Sequence, residues 1–510
     1  MNKDNRLLYV LVLIRVLLPY ILQSSVFEPQ RDEMLYLAEG NHLAFGFMEV
    51  PPMLSLFGWL TQHLGNSMFW IKFWPSLFGA VTMFVCGKII QSIGGKSFAI
   101  FILFLSFITS AYLRVFFLFQ PNPPEIFFCT MIAYGLIRFV QTVNNKWLYV
   151  FGVSVGLGML SKYSVAYFTS GALLGLLLTN QRRIFGNKHF WFAAVIALLI
   201  FLPTIIWEIL HHFPIVHHMR ELRERQLQFI RPADFLIDQF IMNLAATGVW
   251  FTGLWFLFVN KASKNYRFIA ITYVLVILIL LIFHGKNYYT LGLYPVLFAF
   301  GAYRIEQITV LRFRWARMII PFCMITIGIW LLPIQFPIFR PEKLVSLYQK
   351  MHAEKSGALR WEDQHNHPLP QDFADMLGWE EMAQKMGKTY QTLSPEEKKH
   401  TILFCDNYGQ AGALNFYAKK YNLPEAYSEN GSFLYWMPDS LHFENWIYLS
   451  QDPDEMKDPW LNHFSSVILC DSITNIYARE HRDKIILLKG AKPGLNEEFR
   501  QEVREKKARL

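Results

Sequence analysis

The stretch that decides the fold is LLYVLVLIRVLLPYILQSSVFEPQRDEMLYLAEGNH, residues 7–42. Its first half, Leu7–Phe27, is apolar over about the 20 residues that a helix needs to cross a bilayer, and it is too long for a cleaved signal peptide. Its second half turns polar at Glu28 and places Asp32 and Glu33 at the start of a helical pattern, where the helix dipole favours acids. The stretch therefore predicts a membrane-crossing helix followed by a short amphipathic helix on the membrane surface.

Ten further apolar runs follow before residue 340, and the full set predicts eleven crossings. Basic residues collect in every second connection, beginning with the N-terminal segment. The positive-inside rule therefore places the N-terminus in the cytoplasm and the segment after Arg340 outside. We expect an α-helical polytopic membrane protein. Its predicted crossings are Leu7–Phe27, Met68–Ile90, Phe98–Phe119, Ile126–Val140, Trp147–Leu160, Ser164–Leu178, Phe190–Ile209, Phe235–Val259, Phe268–Phe283, Thr290–Tyr303 and Met318–Phe336.

The composition of the chain agrees with an apolar part joined to a polar part. The 510 residues are 53% hydrophobic and 17% charged, while the mean hydropathy is only +0.24. This balance excludes a disordered chain, a coiled coil and a disulfide-stapled scaffold. The formal net charge of +9 is concentrated in the inside connections, which is typical of a sorting signal, and we expect no nucleic-acid partner.

The composition changes near Arg340, which divides the chain into a predicted transmembrane domain, 1–340, and a predicted extracytoplasmic domain, 341–510. In the second part, strand-like and helical patterns alternate, as in a soluble α/β domain. The predicted strands are Thr401–Cys405, Trp446–Leu449, Ser466–Cys470 and Lys484–Leu488, and the predicted helices are Asp372–Met386 and Ala411–Tyr421.

The five cysteines show no spacing typical of a metal site. Cys405 and Cys470 each end a predicted strand. Adjacent parallel strands could bring them together as a disulfide in an oxidising exterior, and two separate buried thiols are the alternative. Cys86, Cys129 and Cys323 lie in apolar runs, where we expect them to be buried.

The predicted surface helix carries the first candidate for catalysis. Helical spacing places Asp32, Tyr36 and Glu39 on one face. A carboxylate at the bilayer edge is a suitable general base, because partial removal from water raises its basicity. An ordinary acidic helix start is the alternative interpretation of the same residues.

Three groups of residues together resemble a known family. The first is the Asp32-Glu33 pair, followed by Tyr36 and by a Gly-aromatic stretch that ends in Pro51-Pro52-Met53. The others are Gly156-Leu157-Gly158-Met159-Leu160-Ser161-Lys162 and Gly285-Lys286-Asn287-Tyr288-Tyr289, the latter followed by Tyr294-Pro295. In order, spacing and common outer side they are similar to the GT-C membrane glycosyltransferases, in particular to protein O-mannosyltransferases and aminoarabinose–lipid A transferases. The resemblance covers most of Leu7–Phe336.

This resemblance implies transfer of a sugar from a polyprenyl-phosphate-linked donor to an envelope acceptor, which is a lipid, a glycan or a protein. Transfer would take place at the outer face of the membrane, with inversion at the anomeric carbon. By the family match, Asp32 is the general base and Glu33 a neighbour that positions it. The residues implied in substrate binding are Tyr36, Glu49, Lys162, Arg220, Arg223, Lys286, Tyr288 and Tyr289.

A departing phosphate needs cations to stabilise it. Lys162 and Lys286 are expected to supply them, because an outward lysine among apolar helices needs a partner anion. Arg220, Arg223 and Arg225 share an outer loop that helps to bind the donor in the family. Contact with lipid headgroups, or a solvated helix face, is the alternative for these arginines.

A divalent metal ion could bridge Glu49, a histidine and the donor phosphate. The alternative is that the histidines simply lie on the surface, since their spacing is not that of a metal site. The histidines of the same outer loop are His211, His212, His217 and His218.

Polar residues elsewhere in the apolar part need an explanation. The loop Gln120–Glu125 has Asn122 and Glu125 where the family often has an Asp, which puts in doubt its contact with the acceptor. Arg15 and Arg114 are costly in lipid and are expected to face the interior of the helix bundle, in a structural pair or in catalysis.

The expected location is the plasma membrane, which in bacteria is the inner membrane. A transporter or lipid flippase is the alternative function, because it would also place charges in a multi-helix bundle. The acids at the surface and the lack of an inverted-repeat pattern favour surface chemistry. A ligase or polymerase that acts on polyprenyl pyrophosphate is a second alternative.

Overall fold

The computed structural model of the protein describes residues 3–225 and 227–509, and up to Gln335 it is almost entirely helical. Apolar segments alternate with short polar connections, and the apolar segments form a helix bundle. The helices of this part are α1 (Lys3–Leu22), α2 (Arg31–Glu39), α3 (Met53–His63), α4 (Met68–Ser92), α5 (Ser97–Ile108), α6 (Tyr112–Val115), α7 (Asn122–Thr142), α8 (Lys146–Ser161), α9 (Val165–Leu177), α10 (Lys188–Leu210), α11 (Pro214–Arg225), α12 (Pro232–Ile241), α13 (Thr247–Val259), α14 (Arg267–Ile282), α15 (Tyr294–Leu311) and α16 (Ala316–Gln335).

Each of the eleven predicted apolar runs contains a helix. Among the described residues, six helices are long and apolar enough to cross a membrane, or seven if the pair α12 and α13, bent by 72°, forms one span. Others, such as α5, α8 and α9, are apolar but shorter. The helical membrane fold is therefore confirmed, while the count of eleven crossings stays a prediction.

Apolar side chains on the outside of the bundle mark its lipid-facing surface. On α10, Trp191 and Leu199 are 58% and 59% exposed, and on α16 Met318 and Phe322 are 79% and 69% exposed. Such a dense band of exposed apolar groups is unfavourable in water and is typical of helices in a bilayer. Cys323 belongs to this exposed face of α16, so the expectation that it is buried is wrong.

The interior of the bundle is packed closely enough for backbones to touch. A Cβ atom on Gly301 of α15 would lie 1.9 Å from the carbonyl oxygen of Val249 in α13, and one on Gly253 would lie 2.2 Å from that of Leu297. Only glycine allows this approach. Cys86 and Cys129 are buried in this interior, as the sequence predicts.

The C-terminal part is a mixed α/β domain, as the sequence predicts. Its five-stranded sheet has the order β2-β1-β3-β5-β4; β1 is parallel to β2 and β3, while β5 is antiparallel to β3 and β4. The strands are β1 (Thr401–Cys405), β2 (Ala426–Tyr427), β3 (Asn445–Ser450), β4 (Phe464–Ser472) and β5 (Lys484–Ala491). The helices are α17 (Pro341–Met351), α18 (Gln371–Ala374), α19 (Trp379–Gln391), α20 (Pro395–Lys399), α21 (Tyr408–Tyr421), α22 (Phe433–Trp436) and α23 (Leu495–Arg509).

Two details of the predicted domain are corrected by the structure. The helix expected over Asp372–Met386 is two helices: α18 ends at Ala374, and Gly378, with a φ of +88°, is the N-cap of α19. Cys405 and Cys470 are both free, the first buried and the second exposed. They do not meet because β3 and β5 lie between their strands, so the prediction of two separate thiols holds but the predicted burial of Cys470 does not.

The short helix α2 lies between the bundle and the C-terminal domain. The exposed polar face predicted for this helix is not observed, because its residues from Glu33 to Glu39 are all buried, and its place at the membrane surface stays a prediction. Met34 and Leu35 share an apolar core with α19, α21 and the sheet. A Cβ on Gly412 of α21 would lie 2.9 Å from Met34, which shows how closely the two parts pack. The division at residue 340 stays a prediction, since this core is common to both parts.

Candidate active site

The start of α2 is fixed by a capping box, and this places Asp32 in the first helical turn. The side chain of Gln30 accepts a hydrogen bond from the backbone N–H of Asp32 at 2.9 Å, and the Glu33 carboxylate accepts one from the backbone N–H of Gln30 at 2.7 Å. Reciprocal bonds of this kind satisfy N–H groups that a helix otherwise leaves open. The local sequence therefore gives Asp32 and Glu33 different tasks from the outset.

The Glu33 carboxylate is completely occupied and completely buried. It pairs with the equally buried Lys72 of α4, whose Nζ lies 2.6 and 2.7 Å from the two carboxylate oxygens. The backbone N–H of Phe119 donates a further bond at 2.6 Å. A carboxylate with this many partners has no free oxygen for a substrate, so Glu33 holds α2 against the bundle.

The Asp32 carboxylate is half-buried and only partly occupied. Its Oδ1 accepts a hydrogen bond from the Tyr408 hydroxyl at 2.8 Å, and its Oδ2 faces the Gln120 side-chain amide at 3.4 Å, near the limit of a hydrogen bond. One oxygen is therefore held firmly and the other is available. This is the arrangement that a general base requires.

An acid–base pair also lies at the C-terminal end of α8. The Nζ of Lys162 is 3.4 Å from Oε2 of Glu125, and Oε1 of Glu125 accepts a hydrogen bond from Ser164 at 2.5 Å. The same Nζ lies 4.9 Å from the ring centres of both Tyr288 and Tyr289. Lys162 is thus held by one carboxylate and two aromatic faces, and the loop acid Glu125 has a defined partner.

Lys286 adds a second cation to this group. Its Nζ lies 5.7 Å from the ring centre of Tyr288. Burial lowers its pKa, an effect that the nearby carboxylates of Glu362 and Asp32 oppose and that the charge of Lys162 reinforces. The fold therefore brings Asp32, Lys162, Lys286 and the two tyrosines to one side of the molecule.

Tyr36 and Glu39 line the other side of Asp32. Burial raises the pKa of the Tyr36 hydroxyl well above its usual value, and the carboxylates of Asp32, Glu39 and Glu49 raise it further. Burial likewise raises the pKa of Glu39, with a smaller contribution from Glu49. Among the described residues, neither carboxylate oxygen of Glu39 has a hydrogen-bond partner.

Glu49 contacts the C-terminal domain. Its two oxygens accept hydrogen bonds from the backbone N–H and the hydroxyl of Ser432, at 2.9 and 2.6 Å. His211 instead stacks on Trp207, with ring centres 4.2 Å apart. In the described parts of the chain no three His, Cys, Asp or Glu residues are grouped so that they could hold a metal ion. The predicted bridge needs only Glu49 and one histidine from the protein, so it stays a prediction.

The donor-binding role of the predicted arginines stays a prediction. Arg220 and Arg223 are exposed on α11, and the side chain of Arg225 lies outside the described residues. Arg15 faces the bundle interior as expected, where its guanidinium donates to the Tyr112 carbonyl at 3.1 Å. Arg114 contacts the C-terminal domain rather than the interior, since it pairs with Asp372 and lies over the Phe373 ring.

Sequence reasoning missed the contribution of the C-terminal domain. Tyr408 follows Asp32 by 376 residues, and no pattern in 341–510 marks it as a site residue. Gln120 lies in a loop that the sequence singled out for other positions. The pairing of Glu125 with Lys162 also joins two residues that the sequence discussed separately.

Three comparisons with known proteins bear on the fold and on the resemblance. Residues 49–207 match a family model described as dolichyl-phosphate-mannose-protein mannosyltransferase. A lipid A galacturonosyltransferase, RgtD of Rhizobium johnstonii, is 24% identical over 237 residues, which are 44% of this chain and 48% of that protein. The crystal structure of ArnT from Cupriavidus metallidurans bound to undecaprenyl phosphate superposes with a TM-score of 0.63 at 12% identity, covering 95% of this chain and 97% of that one.

The chain has the GT-C glycosyltransferase fold. The superposition extends over nearly the whole length of both chains, including the C-terminal domain. The resemblance to the protein O-mannosyltransferase and aminoarabinose–lipid A transferase group is thereby confirmed. The chain spans about half the length of the curated relative that it matches. The GT-C fold places Asp32, Lys162 and Lys286 on one side of the bundle, next to the C-terminal domain.

Proposed function

We propose that the protein transfers a sugar from a polyprenyl-phosphate donor to an envelope acceptor, with Asp32 as general base. The observation that carries this proposal is the Asp32 carboxylate, whose Oδ2 is only weakly bonded, on the same side of the fold as two lysines. Lys162 lies 3.4 Å from the Glu125 carboxylate, and Lys286 lies 5.7 Å from the ring centre of Tyr288 within the charge field of Glu362 and Asp32. A base near two cations suits a reaction in which a hydroxyl loses a proton while a phosphate leaves.

The proposed reaction is a single displacement. The acceptor hydroxyl gives its proton to Oδ2 of Asp32 and its oxygen attacks the anomeric carbon. The bond between that carbon and the phosphate oxygen breaks, and the electron pair leaves with the polyprenyl phosphate. Lys162 and Lys286 stabilise the charge that builds on this phosphate, as fixed cations in a water-poor site do. Attack from the face opposite the leaving group inverts the anomeric carbon.

Tyr36, Tyr288 and Tyr289 would contact the sugar and the phosphate in this arrangement. The rings of Tyr288 and Tyr289 lie against Lys162, while Tyr36 lies within the charge field of Asp32 on its other side. Aromatic faces with a hydroxyl at the edge suit sugars, because they offer both apolar contact and a hydrogen bond. Membrane lipid surrounds the site, and the acceptor is a lipid, a glycan or a protein.

The location that goes with this function is the plasma membrane, which in bacteria is the inner membrane. We place the N-terminus in the cytoplasm and the domain 341–510 outside. The reason is that the basic residues of 1–340 collect in the connections predicted to lie on the same side of the membrane as the N-terminus. An alkaline phosphatase fused after Arg340 should be active, and a green fluorescent protein fused there should be dark. A fluorescent, phosphatase-inactive fusion would overturn the assignment of sides.

The transfer assay uses the purified full-length protein in detergent. Undecaprenyl phosphate carrying radiolabelled mannose, galacturonic acid or aminoarabinose is mixed with an extract of envelope lipids and proteins. We expect release of free undecaprenyl phosphate and label in an acceptor that depends on Asp32. Movement of the intact donor across vesicles without cleavage would instead indicate a flippase. Cleavage only of pyrophosphate-linked donors would indicate a ligase or polymerase.

A further inference from the structure

The C-terminal domain contributes one side chain directly to the proposed base. The hydroxyl of Tyr408 donates to Oδ1 of Asp32 at 2.8 Å. Tyr408 is the first residue of α21, and a capping box between Asn407 and Gln410 fixes the helix start on which it stands. The Tyr408 hydroxyl is therefore carried by a helix with a fixed start rather than by a flexible loop.

The ring of Tyr408 is held from a second direction. The guanidinium of Arg31, the residue before Asp32, lies 4.5 Å from the Tyr408 ring centre. Arg31 is itself 3.9 Å from the buried Glu480 of the same domain. A ring packed against a fixed guanidinium has little rotational freedom, so the direction of its hydroxyl toward Asp32 is set by the fold.

Docking of the two parts does not depend on this hydroxyl. The shared core of Met34, Leu35 and their neighbours on α19 and α21 buries apolar surface, and Glu28 accepts hydrogen bonds from the backbone N–H groups of Trp379 and Glu380, at 2.9 and 2.7 Å. These contacts hold α2 against the domain by themselves. The Tyr408 bond is therefore not needed for docking, but it determines which Asp32 oxygen is free.

We propose that Tyr408 is a positioning residue of the active site: its hydroxyl occupies Oδ1 of Asp32 and leaves Oδ2 directed toward the acceptor. This role rests on the proposed function of Asp32 as the base. It gives the C-terminal domain a part in catalysis besides any part in binding an acceptor.

The chain offers a matched control on the same helix. The hydroxyl of Tyr417, also on α21, donates to a carboxylate oxygen of Glu28 at 3.0 Å. Tyr408→Phe and Tyr417→Phe thus each remove one tyrosine–carboxylate bond between the same two parts of the chain. Only the first removes a bond to Asp32.

The experiment measures kcat, KM for the donor and thermal unfolding for five full-length proteins: wild type, Y408F, Y417F, D32N and Y408F/D32N. We expect Y408F to lower kcat about 10-fold or more with KM nearly unchanged, as a hydrogen bond to a charged group warrants. Y417F should stay within about twofold of wild type. In the D32N background, Y408F should cost no further kcat, because the base that it positions is gone.

Other results would overturn this role. If Y408F and Y417F keep equal kcat, or if Y408F costs the same factor with and without Asp32, Tyr408 does not act through the base, while the proposed function stands. If Y408F lowers kcat only in proportion to lost folded protein, its role is structural. If the wild type transfers no sugar from any donor, the proposed function itself fails, and a catalytic role for Tyr408 fails with it.

Discussion

Two buried lysine–glutamate pairs lie at the same end of the helix bundle, and they are built differently. Lys72 and Glu33 are both fully buried, 2.6 Å apart, with two further backbone donors on the carboxylate. Lys162 and Glu125 are 3.4 Å apart, and the lysine side chain is 15% exposed between two tyrosine rings. We call Lys72–Glu33 the closed pair, because both side chains are fully buried and bonded to each other. We call Lys162–Glu125 the open pair, because its lysine can still bind an anionic ligand.

The difference separates stability from function. A buried ion pair with all its hydrogen bonds satisfied adds little net stability. Removing one partner is nevertheless strongly destabilising, because it leaves an isolated buried charge. A loosely paired lysine costs some stability to keep, and such residues are typical of binding sites. We therefore propose that Lys72 and Glu33 stabilise the framework and that Lys162 binds the donor phosphate.

The largest effect should come from Asp32, which precedes Glu33 of the closed pair in the chain but belongs to the proposed active site. Asp32→Asn keeps the shape and the bond from Tyr408, but the amide cannot accept the acceptor proton. We expect turnover to fall about 10²–10⁴-fold with donor binding little changed. Kinetics and undecaprenyl phosphate binding in detergent check this.

The control for Asp32 is another acid of the same segment. Glu28→Gln removes a carboxylate that accepts hydrogen bonds from Trp379, Glu380 and Tyr417 of the C-terminal domain, so turnover per folded molecule should be retained. Loss of turnover in Glu28→Gln as large as in Asp32→Asn would mean that the segment responds as a whole and that Asp32 has no special role.

The next effect tests the closed pair. Lys72→Met leaves the Glu33 charge buried without its cation and should cost about 3–5 kcal/mol of the free energy of unfolding. Glu33→Gln should likewise act on stability rather than on the chemical step, and the double variant should recover part of the loss. Unfolding followed by circular dichroism in detergent measures this. If Lys72→Met is as stable as the wild type, the contrast between the two pairs is wrong.

The open pair should respond in the opposite way. Lys162→Ala and Lys286→Ala should each slow transfer about 10²-fold, or 2–4 kcal/mol in the transition state, and weaken undecaprenyl phosphate binding. Their stability should change far less than that of Lys72→Met. Lys88→Ala, which removes a lysine bonded to Asn5 and Gln91, is the control. Near-normal transfer by both alanine variants would move the phosphate site elsewhere, with Arg220 and Arg223 of α11 as the first candidates.

The last effect concerns the stability of a buried acid that is bonded to an amide, Asp483. Burial, reinforced by the charges of Glu480 and Asp406, raises the pKa of Asp483 to about 8, although Gln410 donates to it at 2.7 Å. The native state therefore keeps a proton that the unfolded chain loses near pH 4, so stability must fall as the pH rises from about 4 to 8. Asp483→Asn should remove this fall and be the more stable protein above pH 8.

Thermal unfolding between pH 4 and 9 checks the Asp483 prediction. The control is Asp454→Asn, because Asp454 is exposed and pairs only with Lys457 at the surface, where ion pairs contribute little. A pH slope that is identical in wild type and Asp483→Asn would show that Asp483 is ionised in the folded protein.

Sequence reasoning reached the elements of this protein because each is encoded locally. Every predicted apolar run contains a helix, and all four predicted strands lie in the sheet. Length and apolar periodicity suffice for this, since about 20 apolar residues have few alternatives to a helix. The Asp-Glu pair also marked the start of α2 correctly, because helix starts favour acids whatever surrounds them.

Tertiary structure alone decided what those residues do. It separated Asp32 from Glu33 by bringing Lys72, 39 residues away, to one of them and Tyr408, 376 residues away, to the other. It also covered α2 with a second domain, which turned the predicted surface helix into a buried one. Local patterns report the propensity of a segment and the face it presents. Which side chain packs against that face depends on how segments far apart in the sequence fold together. Periodicity is a local property and carries no information about such long-range contacts.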